Sequence, residues 1–318
     1  MGALAAFAPA SPPPYRSDRM NRLYEVARRV AQADANVLLT GESGTGKGAL
    51  ARFLHDASRR STGSFVTMTC ANIPGELLES ELFGHEKGAF TGAIEMRQGR
   101  FELADGGTIL IDGVSELAPE LQGKMLRVVQ EKCFERLAGT RTIKVDARIV
   151  SSTQVDLEPL VAAGRFRGDL FYRLNVIRLD LPPLRDRMED LEDLAAGVLR
   201  DLAAAQGTAP QRLSAEALDR LRRHDWPGNL RELRNVLENA VISHQGEEIP
   251  AVALSIGHAE HVAPIAQALR GRYSLSQLEE MYIREILRLT RGNRTEAARI
   301  LGINRKTLLD KRKRYRIP

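Results

Sequence analysis

Eight consecutive residues have the composition of a loop that binds phosphate groups. They are Gly41, Glu42, Ser43, Gly44, Thr45, Gly46, Lys47 and Gly48. An apolar run (37–39) precedes them, and a helical pattern from Ala49 follows. Backbone N–H groups of the loop and the positive end of the helix dipole would therefore face the phosphates, and Lys47 would reach the outer phosphates. The usual motif has Ser or Thr after the lysine, where this chain has Gly48. The alternative is an ordinary glycine-rich turn, but the strand and helix on either side favour ATP binding.

A second candidate residue, Asp112, ends an apolar run that begins with Gly106 and Gly107. Ligands of open α/β sheets bind at the carboxyl ends of the strands, and a carboxylate at this point of a phosphate-loop protein holds Mg²⁺. Asp112 could instead cap the next helix. Beside a phosphate loop, we expect it to bind magnesium.

Two further segments suggest contacts with macromolecules. Three glycines between 84 and 92 surround one aromatic residue and predict an exposed loop with Phe90 near its tip, unless Phe90 folds back into the core. Near the C-terminus, Ala298, Gly302 and Leu308 have the spacing of a helix-turn-helix. The residues from 304 onward are strongly basic, which is typical of a recognition helix on duplex DNA rather than of a solvated tail. The predicted DNA-binding residues are Asn304, Arg305, Lys306, Thr307, Lys311, Arg312 and Lys313.

The elements that must position these residues alternate between strands and helices up to about residue 183, which predicts an α/β fold with a parallel sheet. The predicted strands are 37–39, 64–70, 106–112, 147–153 and 176–179. Beyond Pro183 no strand pattern follows, and the helical segments 189–206, 214–224 and 229–243 predict an all-helical subdomain. We therefore divide the chain into a disordered leader (1–16), an α/β subdomain (17–183), a helical subdomain (184–245), a linker (246–272) and an all-α DNA-binding domain (273–318).

Composition excludes several classes of protein. The 318 residues carry a net charge of +5 and only two cysteines, so neither a disulfide framework nor a zinc site is expected. No apolar run is long enough to span a bilayer. We expect a cytoplasmic protein that does not engage membranes.

Taken together, the motifs resemble the bacterial enhancer-binding proteins, the AAA+ activators of sigma-54 RNA polymerase. Besides the phosphate loop, the resemblance rests on 81–86 followed by Gly88, Ala89, Phe90, Thr91, Gly92 and Ala93, on 181–185, and on 226–233. It covers nearly the whole chain after the leader and includes a Fis-type helix-turn-helix. It implies an AAA+ phosphate-loop sheet with a helical lid.

The resemblance also implies roles. Residues 88–93 would contact sigma-54 and move with the nucleotide state, and Asp112 would hold Mg²⁺ beside ATP. Arg167 and Arg173 match the family's arginine fingers, which act on the neighbouring subunit's nucleotide, so hydrolysis would require a self-associated ring, a hexamer by resemblance. Arg231 would sense the γ-phosphate, and the C-terminal domain would bind enhancer double-stranded DNA. The 16 or so residues before the first helix are too few for a receiver or sensor domain, so activity would be controlled by a regulatory protein partner, by the expression level, or not at all in this chain.

Four positions depart from the family pattern. Gly113 replaces the glutamate that polarises the attacking water, Thr69 replaces the asparagine that positions it, Gln154 replaces an Asn or His near the γ-phosphate, and Gly48 replaces a glutamate. Glu116 lies past the strand end, where ordinary members also carry Glu, so we do not expect it to replace the missing base.

Two hypotheses follow: an ATP-driven activator with a weakened or rerouted hydrolysis step, or a nucleotide- and DNA-binding regulator with impaired hydrolysis that acts in a mixed ring with an active partner. A helicase or protease-type AAA+ motor is disfavoured by the Phe90 loop and the helix-turn-helix.

Overall fold

The computed structural model describes residues 15–256, 274–290 and 293–315. Its strands, numbered along the chain, are β1 Val37–Thr40, β2 Phe65–Thr69, β3 Gly84–His85, β4 Arg97–Gln98, β5 Thr108–Asp112, β6 Cys133–Phe134, β7 Ile143–Lys144, β8 Arg148–Thr153, β9 Ile177–Asp180, β10 Arg212–Leu213 and β11 Glu248–Ile249. Its α-helices are α1 Asp18–Ala31, α2 Lys47–Asp56, α3 Gly75–Phe83, α4 Arg100–Leu103, α5 Pro119–Glu131, α6 Glu158–Ala162, α7 Gly168–Leu174, α8 Leu191–Gln206, α9 Ala215–Arg222, α10 Asn229–Ser243, α11 Leu275–Leu289, α12 Arg294–Ile300 and α13 Arg305–Arg314. Short 3₁₀ segments lie at 114–116, 184–186, 188–190 and 251–253.

The centre of the first unit (1–254) is a five-stranded sheet in the order β2-β5-β8-β1-β9, with every neighbouring pair parallel. Its two faces are covered by different helices. Leu38 faces a core cluster that includes residues of α3, α5 and α7, whereas Val37 and Leu39 face a cluster that includes residues of α1 and α2. Alternate side chains of a strand point to opposite faces, so β1 is buried on both. The predicted α/β fold with a parallel sheet is confirmed.

The register of this sheet brings the ends of its strands together. Asp112 of β5 lies opposite Thr69 of β2 on one side and Ser152 of β8 on the other, while Thr40 of β1 lies opposite Thr153. All of these residues are at the carboxyl ends of parallel strands. The loops that follow β1, β2, β5 and β8 therefore share one edge, where open α/β sheets bind ligands.

Helices α8, α9 and α10 form the helical subdomain, with the indole of Trp226 completely buried and its Nε1 donating to the Leu221 carbonyl at 3.0 Å. Two strands, β10 and β11, pair in parallel here, although no strand pattern was found beyond Pro183. Each has only two residues, too few for an alternating pattern to be recognised in the sequence. Strand β11 and the 3₁₀ segment 251–253 fall within the predicted linker, which from 257 to 272 lies outside the described residues.

The second unit (255–318) contains α11, α12 and α13 around a small core of Ile283, Ile286, Leu287, Ala297, Ala298 and Leu308. Gly302 ends α12 with φ 66°, a backbone conformation that glycine adopts without steric cost. The side chains of Ala297 and Ala298 are small enough for α12 to pack closely against the other residues of this core. The predicted helix-turn-helix is confirmed.

Residues 1–14 of the predicted leader lie outside the described part. Tyr15 packs against Tyr24 with ring centroids 5.2 Å apart, and Arg16 forms an ion pair with Asp193 of α8 at 2.7 Å. Among the helices of the described residues, none is long and apolar enough to cross a membrane.

Candidate functional site

The predicted phosphate loop lies between β1 and α2, and its backbone is curled by three glycines with positive φ: Gly41 at 142°, Gly44 at 78° and Gly46 at 105°. Lys47, the first residue of α2, has only 7% of its surface exposed. Its Nζ donates to the carbonyls of Gly41 and Glu42, both at 2.8 Å. Burial lowers the pKa of Lys47 to about 8, although the nearby Asp112 carboxylate acts in the opposite direction. The ammonium thus lies inside the loop, where an anion would bind.

The space around two of these glycines, Gly41 and Gly44, admits no side chain. A Cβ at Gly44 would lie 2.3 Å from the carbonyl oxygen of Gly228, and one at Gly41 would lie 2.7 Å from that of Leu181. Glycine is needed here both for the left-handed backbone and for the close approach of another chain segment. The loop is therefore a cradle of backbone groups, which fits the phosphates of a nucleotide.

Residues at the start of the helical subdomain close one side of the cradle. Arg185 pairs with Glu42 at 2.5 Å, and Asn229 Nδ2 donates to Glu42 Oε2 at 3.1 Å and to the Ser43 carbonyl at 3.0 Å. The hydrogen bond from Arg185, followed by that from Asn229, lowers the pKa of Glu42 to about 2. We call this set, Glu42, Arg185 and Asn229, the lid clamp. Its residues lie in the phosphate loop and in segments 181–185 and 226–233, but local patterns do not show that they meet, because the partners are separated by 143 residues or more.

Three more contacts join the lid to the loop. The Leu230 N–H donates to the Gly44 carbonyl at 3.0 Å, and Arg231 Nη1 donates to Ser43 Oγ at 2.5 Å. The fully buried Arg187 donates through Nη2 to the Thr45 carbonyl at 2.7 Å. Thr45 Oγ1 itself donates to the Glu42 carbonyl at 2.9 Å. Arg231 is thus positioned at the loop, as the resemblance implied for a residue that senses the γ-phosphate.

Asp112 is half-buried at the end of β5, and its Oδ1 accepts a hydrogen bond from Ser152 Oγ. Among the described residues no group of three or more His, Cys, Asp or Glu side chains could form a metal cage. Mg²⁺ does not require one, since one carboxylate with phosphate oxygens and waters is sufficient. The donor set fits magnesium bound together with a nucleotide. Gly48, the second residue of α2, offers no hydroxyl to that ion.

The other three altered positions lie at the same edge of the sheet. Thr69 is exposed at the end of β2, Gln154 is exposed directly after β8, and Gly113 follows Asp112 with φ 84° and ψ 47°. The Gly113 N–H donates to the Ser152 carbonyl at 3.0 Å, so the residue still belongs to the sheet edge. A Cβ on Gly113 would make only ordinary van der Waals contacts but would require a left-handed backbone, which costs a residue with a side chain about 1–2 kcal/mol.

Glu116 lies past the end of β5 and close to Gly113, which directly follows that strand. The backbone turns after Gly113, with the Glu116 N–H donating to the Gly113 carbonyl at 3.0 Å, and this returns Glu116 to the strand end. Its Cγ lies 3.8 Å from the point where a Cβ of residue 113 would be. Burial, followed by the negative charges of Asp112 and Glu116, raises the pKa of the Cys70 thiol to about 12. Both carboxylates therefore lie near the same buried residue.

A compact turn lies on the stem formed by β3 and β4. It contains the loop residues Gly88, Ala89, Phe90, Thr91, Gly92 and Ala93. The Gly88 N–H donates to the Ala93 carbonyl at 2.9 Å. Phe90 is 38% exposed and packs edge-on against His85, with ring centroids 5.0 Å apart. Its ring is thus neither fully extended into solvent nor part of the core. Arg136 anchors the stem through an ion pair with Glu86 at 2.8 Å.

The two predicted arginine fingers lie on α7 and the residue before it. Arg167 pairs with Asp169 at 2.8 Å and remains half-exposed, and Arg173 is exposed near the end of the helix. Within the described part of the chain, neither side chain makes a hydrogen bond to the phosphate loop. The site brought together in one subunit therefore consists of the loop, Asp112 and Arg231, without these arginines.

The predicted DNA-binding residues occupy α13 and its cap. Asn304 is the N-cap, and its Oδ1 accepts from the Thr307 N–H at 2.8 Å. Arg305, Lys306 and Lys313 are exposed, and Arg312 is partly buried. Lys311 instead forms an ion pair with Glu279 of α11 at 2.5 Å. The exposed cations are therefore at both ends of α13, while Lys311 holds two helices together.

Comparison with known proteins gives three matches along the chain. Residues 15–180 match the sigma-54 interaction domain, residues 185–265 the AAA+ ATPase lid domain, and residues 274–315 the Fis family of bacterial regulatory proteins.

Relatives cover almost all of the chain. It is 43% identical to the transcriptional regulatory protein FlbD of Caulobacter vibrioides, over 94% of this chain and 69% of that protein. It is 46% identical to the regulatory protein AtoC of Escherichia coli, over 91% of this chain and 64% of that protein. The crystal structure of NtrX from Brucella abortus in complex with ATP is similar, with a TM-score of 0.69 at 36% identity, over 95% of this chain and 68% of that one.

Proposed function

The chain belongs to the sigma-54-dependent family of AAA+ transcriptional regulators with a Fis-type helix-turn-helix, and from that premise we propose that it is an ATP-driven activator. It binds enhancer DNA and remodels sigma-54 RNA polymerase holoenzyme through residues 88–93. The observation that carries the proposal is the phosphate loop beneath the lid, in which Lys47 Nζ donates to two loop carbonyls and Arg231 Nη1 donates to Ser43 Oγ. We assign 17–183 to the nucleotide-binding part, 184–245 to the lid and 273–318 to DNA.

ATP would place its phosphates in the glycine cradle, as fits a loop that admits no side chain at Gly41 or Gly44. Lys47 then exchanges its two carbonyl acceptors for phosphate oxygens, and Arg231 exchanges Ser43 for the γ-phosphate. Asp112 and the phosphates would hold Mg²⁺, which neutralises charge on the transferred phosphoryl group when bound. The similar NtrX structure contains ATP, which supports this assignment.

Arg167 and Arg173 would act on the nucleotide of the neighbouring subunit. Both are on the surface of α7 and neither bonds to its own phosphate loop within the described residues. An arginine supplied by a neighbour stabilises the transition-state charge, so turnover would require a ring, proposed here to be a hexamer. Turnover would then increase more steeply than protein concentration until rings are saturated.

The loop of residues 88–93 would transmit the nucleotide state to sigma-54. Its stem is held by Arg136, which also pairs with Glu102, while short-range backbone hydrogen bonds close the turn itself. A rigid stem with a locally held turn can reposition Phe90 and Thr91 as a unit. The exposed cations of α13 would contact phosphates of the enhancer.

A second candidate function rests on Gly113, which has no side chain to orient water. In this alternative, the chain binds ATP and DNA but turns over little ATP by itself, and it contributes Arg167 and Arg173 to an active partner in a mixed ring. A regulatory protein partner is compatible with both functions.

ATP turnover by the purified chain, measured over a range of concentrations that includes ring assembly, tests the proposal. We expect turnover that Lys47→Ala abolishes. A rate equal to that of buffer, with ATP binding intact and turnover restored by Gly113→Glu, would favour the alternative. Gly113→Asn is the matched control, because asparagine tolerates the left-handed backbone but provides no carboxylate.

A further inference from the structure

Gly113 has no side chain at the sheet edge, and the side chain of another acidic residue lies beside it. A side chain on residue 113 would start toward a space bounded by the Ala71 N–H, 3.9 Å away, and by Glu116 Cγ, 3.8 Å away. A glutamate there would place its carboxylate in this space. In this chain, the side chain next to it is that of Glu116.

The backbone fixes Glu116 in this place. Gly113 is tied to Ser152 of β8, and the 3₁₀ turn 114–116 closes with the hydrogen bond from the Glu116 N–H to the Gly113 carbonyl. The left-handed φ of Gly113 makes this turn possible directly after the strand. The residue that stands where the family pattern has glutamate is thus the one whose backbone conformation brings Glu116 beside it.

The Glu116 carboxylate is also available. It is exposed, and among the described residues no ion pair or hydrogen bond engages it, whereas Glu42, Glu81, Glu86 and Glu102 all have arginine partners. A proton acceptor must be free to contact the water that it orients. The Glu116 side chain meets this condition, because it is exposed and has no such partner among the described residues.

We propose that Glu116 is the carboxylate that orients and deprotonates the attacking water in this chain, in place of residue 113. The inference rests on the proposed ATP-driven function. The water oxygen forms a bond to the γ-phosphorus as its proton passes to Glu116, and the bond from the γ-phosphorus to the β,γ-bridging oxygen breaks. ADP leaves with that electron pair, and the proton is then released to solvent as phosphate departs.

The test compares Glu116→Gln with the wild-type chain at ring-forming concentration. Glutamine keeps the size of the side chain but cannot accept a proton, so kcat should fall at least about 100-fold. The Kd for ATP should change less than about twofold, and rings isolated by gel filtration should retain unhydrolysed ATP. Glu116→Asp should keep part of the activity because it retains the carboxylate.

Glu120→Gln is the matched control, because Glu120 is exposed in the first turn of α5 and undergoes the same change. It should behave as wild type. Equal kcat for Glu116→Gln and wild type would overturn this inference and leave the proposed function intact. Loss of ATP binding in parallel with kcat would also overturn it, because Glu116 would then hold nucleotide. Absence of turnover in the wild-type chain would overturn the proposed function itself, and the inference with it.

Discussion

Gly44→Ala should separate the lid from the phosphate loop. The added methyl carbon would lie 2.3 Å from the Gly228 carbonyl oxygen and 3.2 Å from Arg231 Cβ, so the lid must move away. That movement breaks the hydrogen bond from the Leu230 N–H to the Gly44 carbonyl, worth about 1 kcal/mol. The same movement breaks the hydrogen bond from Asn229 Nδ2 to the Ser43 carbonyl, worth about another 1 kcal/mol. The closed lid is therefore destabilised by about 2 kcal/mol.

A closed lid destabilised by this amount weakens ATP binding by up to about 30-fold, because the binding-competent conformation is populated less. Isothermal titration calorimetry with ATP measures the change. Gly207→Ala is the matched control: Gly207 has φ 68° and ends α8, but nothing lies within 4 Å of its added Cβ. It should lower the melting temperature slightly and leave the Kd for ATP unchanged. Unaltered ATP affinity in Gly44→Ala, with a folded protein, would refute the role of the lid contact.

Three further predictions follow from the geometry. Burial gives Lys47 a pKa of about 8 without nucleotide, and phosphates favour its charged form, so ATP affinity should fall as pH rises above about 8. ATP binding should then be accompanied by proton uptake, which calorimetry in buffers of different ionisation enthalpy detects. A constant ATP affinity from pH 7 to 9 would contradict this prediction. Asn229→Ala should destabilise the protein by about 3 kcal/mol, since it removes the bonds to Leu184, Glu42 and Ser43, and calorimetric unfolding should show it. Arg305→Ala should reduce the slope of the logarithm of the DNA-binding constant against the logarithm of the salt concentration by about 0.9. Lys311→Ala should instead lower the melting temperature and leave that slope unchanged. Equal slopes in the two variants would be contrary to the structure.

The elements of the sheet could be predicted because each strand is a short apolar run between turn residues, and the loop after β1 has a composition that few other structures use. The strand ends therefore identified Asp112 correctly as a residue of the sheet edge. The helix-turn-helix was equally accessible, since Ala298, Gly302 and Leu308 have fixed spacing. These features depend on neighbours in the sequence.

Features that depend on residues far apart in the chain could not be predicted from the sequence. The lid clamp joins Glu42 to Arg185 and Asn229, and neither partner is marked by local periodicity. The ion pair between Lys311 and Glu279 joins two helices, and no local pattern relates the two residues. The hydrogen bond from the Glu116 N–H to Gly113 likewise depends on a backbone conformation that the periodicity of the sequence does not show.

Opening of promoter DNA by sigma-54 RNA polymerase tests the central claim most directly. Permanganate reactivity of unpaired thymines would be measured at a sigma-54-dependent promoter with the holoenzyme and this chain. We expect reactivity with ATP and none with a β,γ-imido analogue, and Thr91→Ala should abolish it without affecting ATP binding. Equal reactivity with the analogue, or none with ATP when rings and ATP binding are intact, would contradict an ATP-driven activator.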